Sequence, residues 1–155
     1  MKSALCLVAT AASIAISGPA AAGPADDATT AVTAWLDRFN AGDMDAFHAA
    51  HAPNAVIVDE FGPFVWSGPD ASQRWLADYG KDSSANGISG GRLDYAAPIR
   101  AQSDGRSAYL VIPTIYRMQQ GGRAKSAAGN MTFVMTKAGN EWKIASWTYS
   151  APEPR

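Results

Sequence analysis

Residues 35–59 read WLDRFNAGDMDAFHAAHAPNAVIVD, and Glu60-Phe61-Gly62-Pro63 follow at once. Val32, Trp35, Leu36 and Phe39 fall at helical spacing and make one apolar stripe. Asn40-Ala41-Gly42 ends that helix, because glycine takes the left-handed C-cap conformation without steric cost. Asp43 is a good N-cap for a second short helix with Met44, Phe47 and Ala50 or His51 on one face. Pro53-Asn54 reads as a turn, and the β-branched run Val56-Ile57-Val58 as a strand that delivers Asp59 and Glu60 to its end.

Outward from this stretch, Asp26, Asp27 or Thr29 can cap the first helix. Phe64-Val65-Trp66 reads as a short strand between Pro63 and Gly68. Pro69 opens a third helix, from Asp70 to about Tyr79, with Ala71, Trp75 and Tyr79 stacked and Gly80 closing it. Lys81 to Gly91 is a polar, glycine-containing loop. Four strands then follow with hairpin connections, 92–102, 107–118, 123–137 and 141–150, which predicts a strongly curved antiparallel sheet. In the third of these, Met131, Phe133 and Met135 alternate with Asn130, Thr132 and Thr136, so one face is buried and Asn130 faces out. Pro113 lacks a ladder donor and predicts a bulge or an edge position.

A chain of 155 residues with 47% apolar content has room for one domain with a proper core. Thirteen basic and fourteen acidic residues, interspersed to a formal charge of -1, leave no basic patch for nucleic acid. The first residues differ in kind. Lys2, the apolar run Ala4–Ile16 and the small residues Ala20-Ala21-Ala22 predict a secretory signal over 1–22. The expected product is periplasmic or secreted, with no membrane attachment after cleavage. The single cysteine, Cys6, lies within that segment, so the mature chain is expected to hold no disulfide and no thiol nucleophile.

The order helix, helix, strand, strand, helix, four strands resembles the SnoaL-like or NTF2-like superfamily, over residues 28–150. The resemblance rests on Phe39-Asn40-Ala41-Gly42-Asp43, Ala52-Pro53-Asn54-Ala55, Trp66-Ser67-Gly68-Pro69 and Glu141-Trp142-Lys143-Ile144. It implies an α+β cone of the ketosteroid isomerase-like fold, with a curved antiparallel sheet wrapped around three N-terminal helices. It also implies a mouth that admits a small, mostly apolar molecule, and pairing into a homodimer through the outer sheet face. The isomerase branch keeps a general base in the context Asp-x-Phe-Gly, and Asp59-Glu60-Phe61-Gly62 is similar. Its oxyanion hole joins a tyrosine to a protonated aspartate. By ungapped counting the tyrosine position is Trp35, its supporting tyrosines are His51 and Leu76, and the aspartate is Gly129 with Asn130 beside it. One lost oxyanion donor costs about a hundredfold or more in rate, so steroid isomerisation is not expected.

Asp59 is the candidate catalytic residue. A carboxylate at the mouth of an apolar pocket has its proton affinity raised by desolvation and can move a proton near neutral pH. Its bland alternative is a strand-end carboxylate facing water. Trp35, Phe39, His51, Phe61, Trp75, Met131, Trp147 and Tyr149 are the expected pocket lining, with core packing as the alternative for each. His48 and His51 share helical spacing, but no third ligand is evident, so neither a metal nor another cofactor is expected; His48 is assigned to the solvent side. Arg74 reads as a solvated helix residue that could reach Asp59. The expected function is binding of a small apolar or aromatic molecule without established catalysis. The alternative is a cofactor-free lyase, isomerase or hydrolase using Asp59 as general acid or base.

Overall fold

The computed structural model describes residues 23–152; the expected signal segment, with Cys6, lies outside them. Three helices, α1 (Pro24–Ala41), α2 (Met44–Ala49) and α3 (Ala71–Ala85), pack against one seven-stranded sheet. Its strands are β1 (His51–Val58), β2 (Val65–Ser67), β3 (Ile88–Tyr95), β4 (Arg100–Ser103), β5 (Ser107–Gln120), β6 (Arg123–Ala138) and β7 (Glu141–Ser150). The order across the sheet is β2-β1-β7-β6-β5-β3, with β4 on the same side of β5 as β3. The sheet is large, curved and unclosed, as an α+β cone requires.

Helix α1 buries Ala28, Val32, Trp35 and Leu36, one stripe at helical spacing. It begins at Pro24, ahead of the aspartates and threonine expected to cap it, because Pro fits the first turn where its missing N–H costs nothing. Gly42, at φ 72°, ends it, and Asp43 caps α2 by accepting from the Ala46 N–H. Asn40 then does what a strand would do: its amide donates to the Leu93 carbonyl at 2.8 Å and accepts from the Leu93 N–H at 2.9 Å. That pair fastens the end of α1 to β3.

Several sequence expectations are corrected. Strand β1 starts at His51, so Pro53-Asn54 lies inside it, at a register irregularity between His51 and Val56. Strand β1 also pairs parallel with β7, the one parallel pairing in an otherwise antiparallel sheet. Helix α3 starts at Ala71 with Asp70 as N-cap, and runs through Gly80 to Ala85, shortening the expected loop. A single glycine costs a helix only about 1 kcal/mol, which packing of Ala71 and Trp75 outweighs. The strand expected over 92–102 is two strands, because residues 96–99 break the regular pairing with β5, though the Ala96 and Ile99 N–H groups still donate to Pro113 and Val111.

Pro113 occupies that gap. It pairs with Asn130 of β6 without a bulge, while its carbonyl accepts from Ala96 on the other side. A strand residue points its N–H and C=O to the same side, so the missing donor falls where β3 has ended and β4 has not begun.

The core lies between the helices and the inner face of the sheet. Ile57, Leu110, Ile112, Phe133, Met135 and Ile144 lie in it and are nearly or wholly inaccessible. Among the described residues, no helix is long and apolar enough to cross a membrane.

Candidate functional site: an aromatic slot with a buried carboxylate

Period-two alternation along β1 buries Ala55 and Ile57 and exposes Val56 and Val58, and Asp59 continues the buried phase one residue beyond the strand. A tight turn holds it there: the Asp59 N–H donates to the Phe64 carbonyl at 3.1 Å, and Phe64 adopts φ 73° to close the turn. Asp59 is 6% exposed. Its Oδ2 accepts from the Trp75 indole at 3.0 Å and its Oδ1 from the Glu60 N–H at 2.7 Å. The carboxylate therefore has a fixed orientation on the inner side of the sheet. Glu60 faces out, as its place after β1 predicts, and accepts from the Ala151 N–H.

Beside Asp59 lies a slot walled by Trp35 and Phe39 of α1, Trp75 and Tyr79 of α3, Leu93 of β3, Tyr116 of β5, Met131 of β6, and Trp147 and Tyr149 of β7. Its cavity volume is about 30 Å³. Sites for drug-sized ligands run to roughly 300–1,000 Å³. This is a crevice between ring faces, not an open bowl. Trp75 and Tyr79 stack at 5.3 Å with 16° between planes, and Trp147 stands edge-on to Trp75 at 5.0 Å.

Two glycines let phenols reach the wall. A Cβ on Gly129 would lie 3.0 Å from the Tyr149 ring and 2.6 Å from the Ser150 carbonyl oxygen. A Cβ on Gly91 would lie 2.4 Å from the Tyr79 hydroxyl and 2.5 Å from that of Tyr116. Those two hydroxyls bond each other at 2.6 Å. The position that counting assigns to an aspartate side chain is thus covered by the ring of Tyr149, a phenol that reaches it from the neighbouring strand.

A bulge in β7 makes this possible. Opposite Val134 and Met135 of β6 stand Ser146 and Ile144, so Ala145 is an extra residue. Ile144 faces in, and the slip turns Trp147 and Tyr149 inward three and five residues later.

Of the expected lining, Trp35, Phe39, Trp75, Met131, Trp147 and Tyr149 meet at the slot with Asp59. His51 and Phe61 do not. Phe61 sits one layer back, against Trp66 at 5.1 Å. His51 is a junction: its Nε2 accepts from the Trp147 indole at 3.1 Å, because an indole N–H only donates. Its Nδ1 therefore carries the proton and donates to the Phe47 carbonyl at 3.0 Å. Burial drives the His51 pKa down to about 4, against smaller opposing contributions from backbone hydrogen bonds to Phe47 and His48.

His48 is not on the solvent side. It is half-buried, with Nδ1 3.0 Å from the Ser72 hydroxyl of α3, and desolvation lowers its pKa. Among the described residues no three His, Cys, Asp or Glu side chains gather as a metal ion would need. Arg74 turns away from Asp59, pairing with Asp70 and donating to the Ser67 carbonyl.

Tyr79, Leu93 and Tyr116 were not foreseen in the slot. Tyr79 was legible only as a helix stripe residue, and Leu93 and Tyr116 only as strand residues. Glycines within strand patterns, at 91 and 129, are the signal that marks the close approach of another group.

The fold is shared widely. A ketosteroid isomerase-like protein from Erwinia carotovora atroseptica superposes with a TM-score of 0.64 at 19% identity, over 83% of this chain and 95% of its own. A putative aromatic ring hydroxylase from Novosphingobium aromaticivorans gives 0.68 at 17%, over 84% and 90%. An NTF2-like superfamily protein from Salmonella enterica gives 0.67 at 15%, over 84% and 92%. At these identities the likeness establishes the fold alone. Among proteins of curated function none matches the sequence. A family model for the SnoaL-like domain matches residues 29–154, nearly all of the chain beyond the expected signal, and the chain belongs to that family.

Proposed function

We propose that the protein binds a small, flat, largely apolar molecule edge-on in the slot, its polar end meeting the carboxylate and phenols. The observation that carries this reading is the convergence of Asp59, Tyr79, Tyr116 and Tyr149 on an otherwise apolar aromatic crevice. Few convergent polar groups in an apolar concavity are the signature of a small-molecule site. The narrow interior argues for single-ring molecules and against bulky fused-ring ones. One of the similar structures, a putative aromatic ring hydroxylase, carries a name that speaks of aromatic-ring chemistry, which agrees with a ring-shaped guest. Native mass spectrometry of the purified chain, alone and with a panel of single-ring aromatics, tests it: a bound mass or a raised Tm is expected. A panel that leaves both mass and Tm unchanged would end this reading.

Asp59 as general acid or base is the second reading, favoured by a buried carboxylate whose orientation Trp75 fixes. Asp59→Asn keeps shape and removes the proton acceptor. Under this reading it abolishes turnover of a bound substrate while binding persists.

We also propose that the chain is exported after loss of residues 1–22 and pairs with a second copy through the outer sheet face. Tyr109 and Ile115 on β5, the neighbouring Val134 on β6, and Val56 and Val58 on β1, one strand further on past β7, are exposed there. Sedimentation of the mature chain, with and without Val134→Lys, reads the subunit count.

A further inference from the structure

Arg92 of β3 and Arg117 of β5 are direct partners across the antiparallel ladder, and Ser126 of β6 stands next in the same row. All three side chains are exposed on the outer face of the sheet, opposite in phase to Leu93 and Tyr116, which face the slot. Two like charges directly opposite one another on neighbouring strands repel, and they destabilise the pairing unless an anion shares them.

Asp94 answers only one of the two charges. It lies two residues along β3 from Arg92 and accepts from the Arg92 Nε at 3.1 Å through one oxygen and from the Arg117 Nε through the other. The hydrogen bond from Arg117, and after it that from Arg92, hold the Asp94 carboxyl below its usual range, so it is ionised at neutral pH. Contact through Nε leaves the terminal nitrogens of both guanidiniums, the fork that takes carboxylate or phosphate, outside the ion pair. Both arginines line a groove of about 340 Å³ between β3, β5 and β6, within the range of small-molecule sites. Lys125, Gln119 and Ser126 line it too, while Gly90 and Ala124 add little bulk. The Lys125 ammonium donates to the neutral Gln120 side chain at 2.7 Å and keeps its charge uncompensated there. Three cations against one carboxylate leave an excess of two positive charges, in a chain whose formal charge is -1. Along the sequence these charges look interspersed; the strand ladder gathers them.

We propose that this groove is an anion site for a dianionic phosphoryl group, free or carried on a small organic molecule, held by the terminal nitrogens of Arg92 and Arg117 with Lys125 and Ser126 beside them. A dianion matches the excess charge. A phosphoryl group also presents at least three oxygens, enough to meet both forks and a hydroxyl, where a single carboxylate presents two. The groove and the slot lie on opposite faces of the sheet, so each stands without the other.

Titration calorimetry of the full chain at fixed ionic strength, with inorganic phosphate and with glycerol phosphate as probes, tests this. Millimolar or tighter binding of at least one probe is expected. Arg92→Gln and Arg117→Gln should each weaken it about tenfold, the worth of one charge-assisted hydrogen bond. Arg38→Gln, which changes an exposed cation of α1 paired with Asp43, should leave it as it was. Arginine Nε–H signals of ¹⁵N-labelled wild type give a reading that needs no variant: those of Arg92 and Arg117 move with the probe, and that of Arg38 does not. Equal affinity for the two probes identifies free phosphate as the ligand, and a tighter glycerol phosphate identifies an ester; either result upholds the site. Binding of neither probe, an equal loss in Arg38→Gln, or Arg92 and Arg117 signals that stay in place overturns it.

Discussion

The two ends of the interior are built differently. At the base, Ala108, Met135 and Ile144 stand opposite one another across β5, β6 and β7 at 4% exposure or less, and Leu110 pairs with Phe133 beside them. At the slot end, the same sheet face carries Tyr116, Tyr149 and Trp147, and the helices answer with Trp35, Trp75 and Tyr79. Aliphatic groups pack without direction, so they fill. Rings with a polar tip pack with direction: Trp75, Trp147, Tyr79 and Tyr116 arrange themselves around hydrogen bonds and leave a crevice. The base supplies stability; the slot spends some of it on shape.

Removing a side chain from each end separates the two roles most sharply. Leu110→Ala is expected to cost about 3 kcal/mol by urea denaturation, for lost transfer energy and a cavity, while ligand binding to the folded protein is unaffected. Equal loss of affinity would show that the ends are not independent.

Acid probes the junction between them. The His51 pKa is lowered to about 4 from 6.5, so the unfolded chain binds a proton that the folded chain refuses between those values. Stability is therefore full above about pH 6.5 and falls as pH drops toward 4. The size is about 3 kcal/mol, at about 1.4 kcal/mol per pH unit. His48, whose pKa is also lowered, adds in the same direction. Hydrogen bonds from Lys81 to Asp78, from Arg117 to Asp94 and from the Ser107 N–H to Asp104 lower those carboxyl pKa values, so their contributions are lost in more acid solution. Urea midpoints between pH 4 and 7, compared with His51→Asn, isolate the histidine; a slope that survives the substitution would assign it elsewhere.

Smaller effects belong to the slot wall. Gly129→Ala must displace either the Ser150 carbonyl or the Tyr149 ring, at a cost of about 1–3 kcal/mol, and should weaken ligand binding more than Leu110→Ala does. Tyr79→Phe removes one hydrogen bond to Tyr116 and should cost about 1 kcal/mol in Tm-derived stability. A double-mutant cycle with Tyr116→Phe reads their coupling directly; no coupling would mean the pair is not formed in solution.

Much of the fold was legible beforehand because short-range chemistry dictates it. The Gly42-Asp43 junction, the stripe on α1 and the alternation in β6 are decided by neighbours a few residues apart. The boundaries that moved were those where packing overrode local preference: Pro53 inside β1, Gly80 inside α3, and residues 96–99 breaking the regular pairing beside Pro113. Within the slot, Asp59 was readable as a strand-end carboxylate, and Trp35, Trp75 and Trp147 as large aromatic side chains, but not which of them would face one another. His51 was displaced into the junction by the indole of Trp147, a residue 96 positions away in the chain.

The sequence by itself determined the order of elements, the inward phase of Asp59 and the supply of large aromatic side chains, since each follows from periodicity and residue type. Only the tertiary structure decided which of those rings face one another. One extra residue at Ala145 rotates Trp147 and Tyr149 into the slot, and two missing side chains, at Gly91 and Gly129, admit the phenols. The width of the slot and the direction of each donor depend on contacts between distant segments, where a shift of one residue exchanges the two faces of a strand.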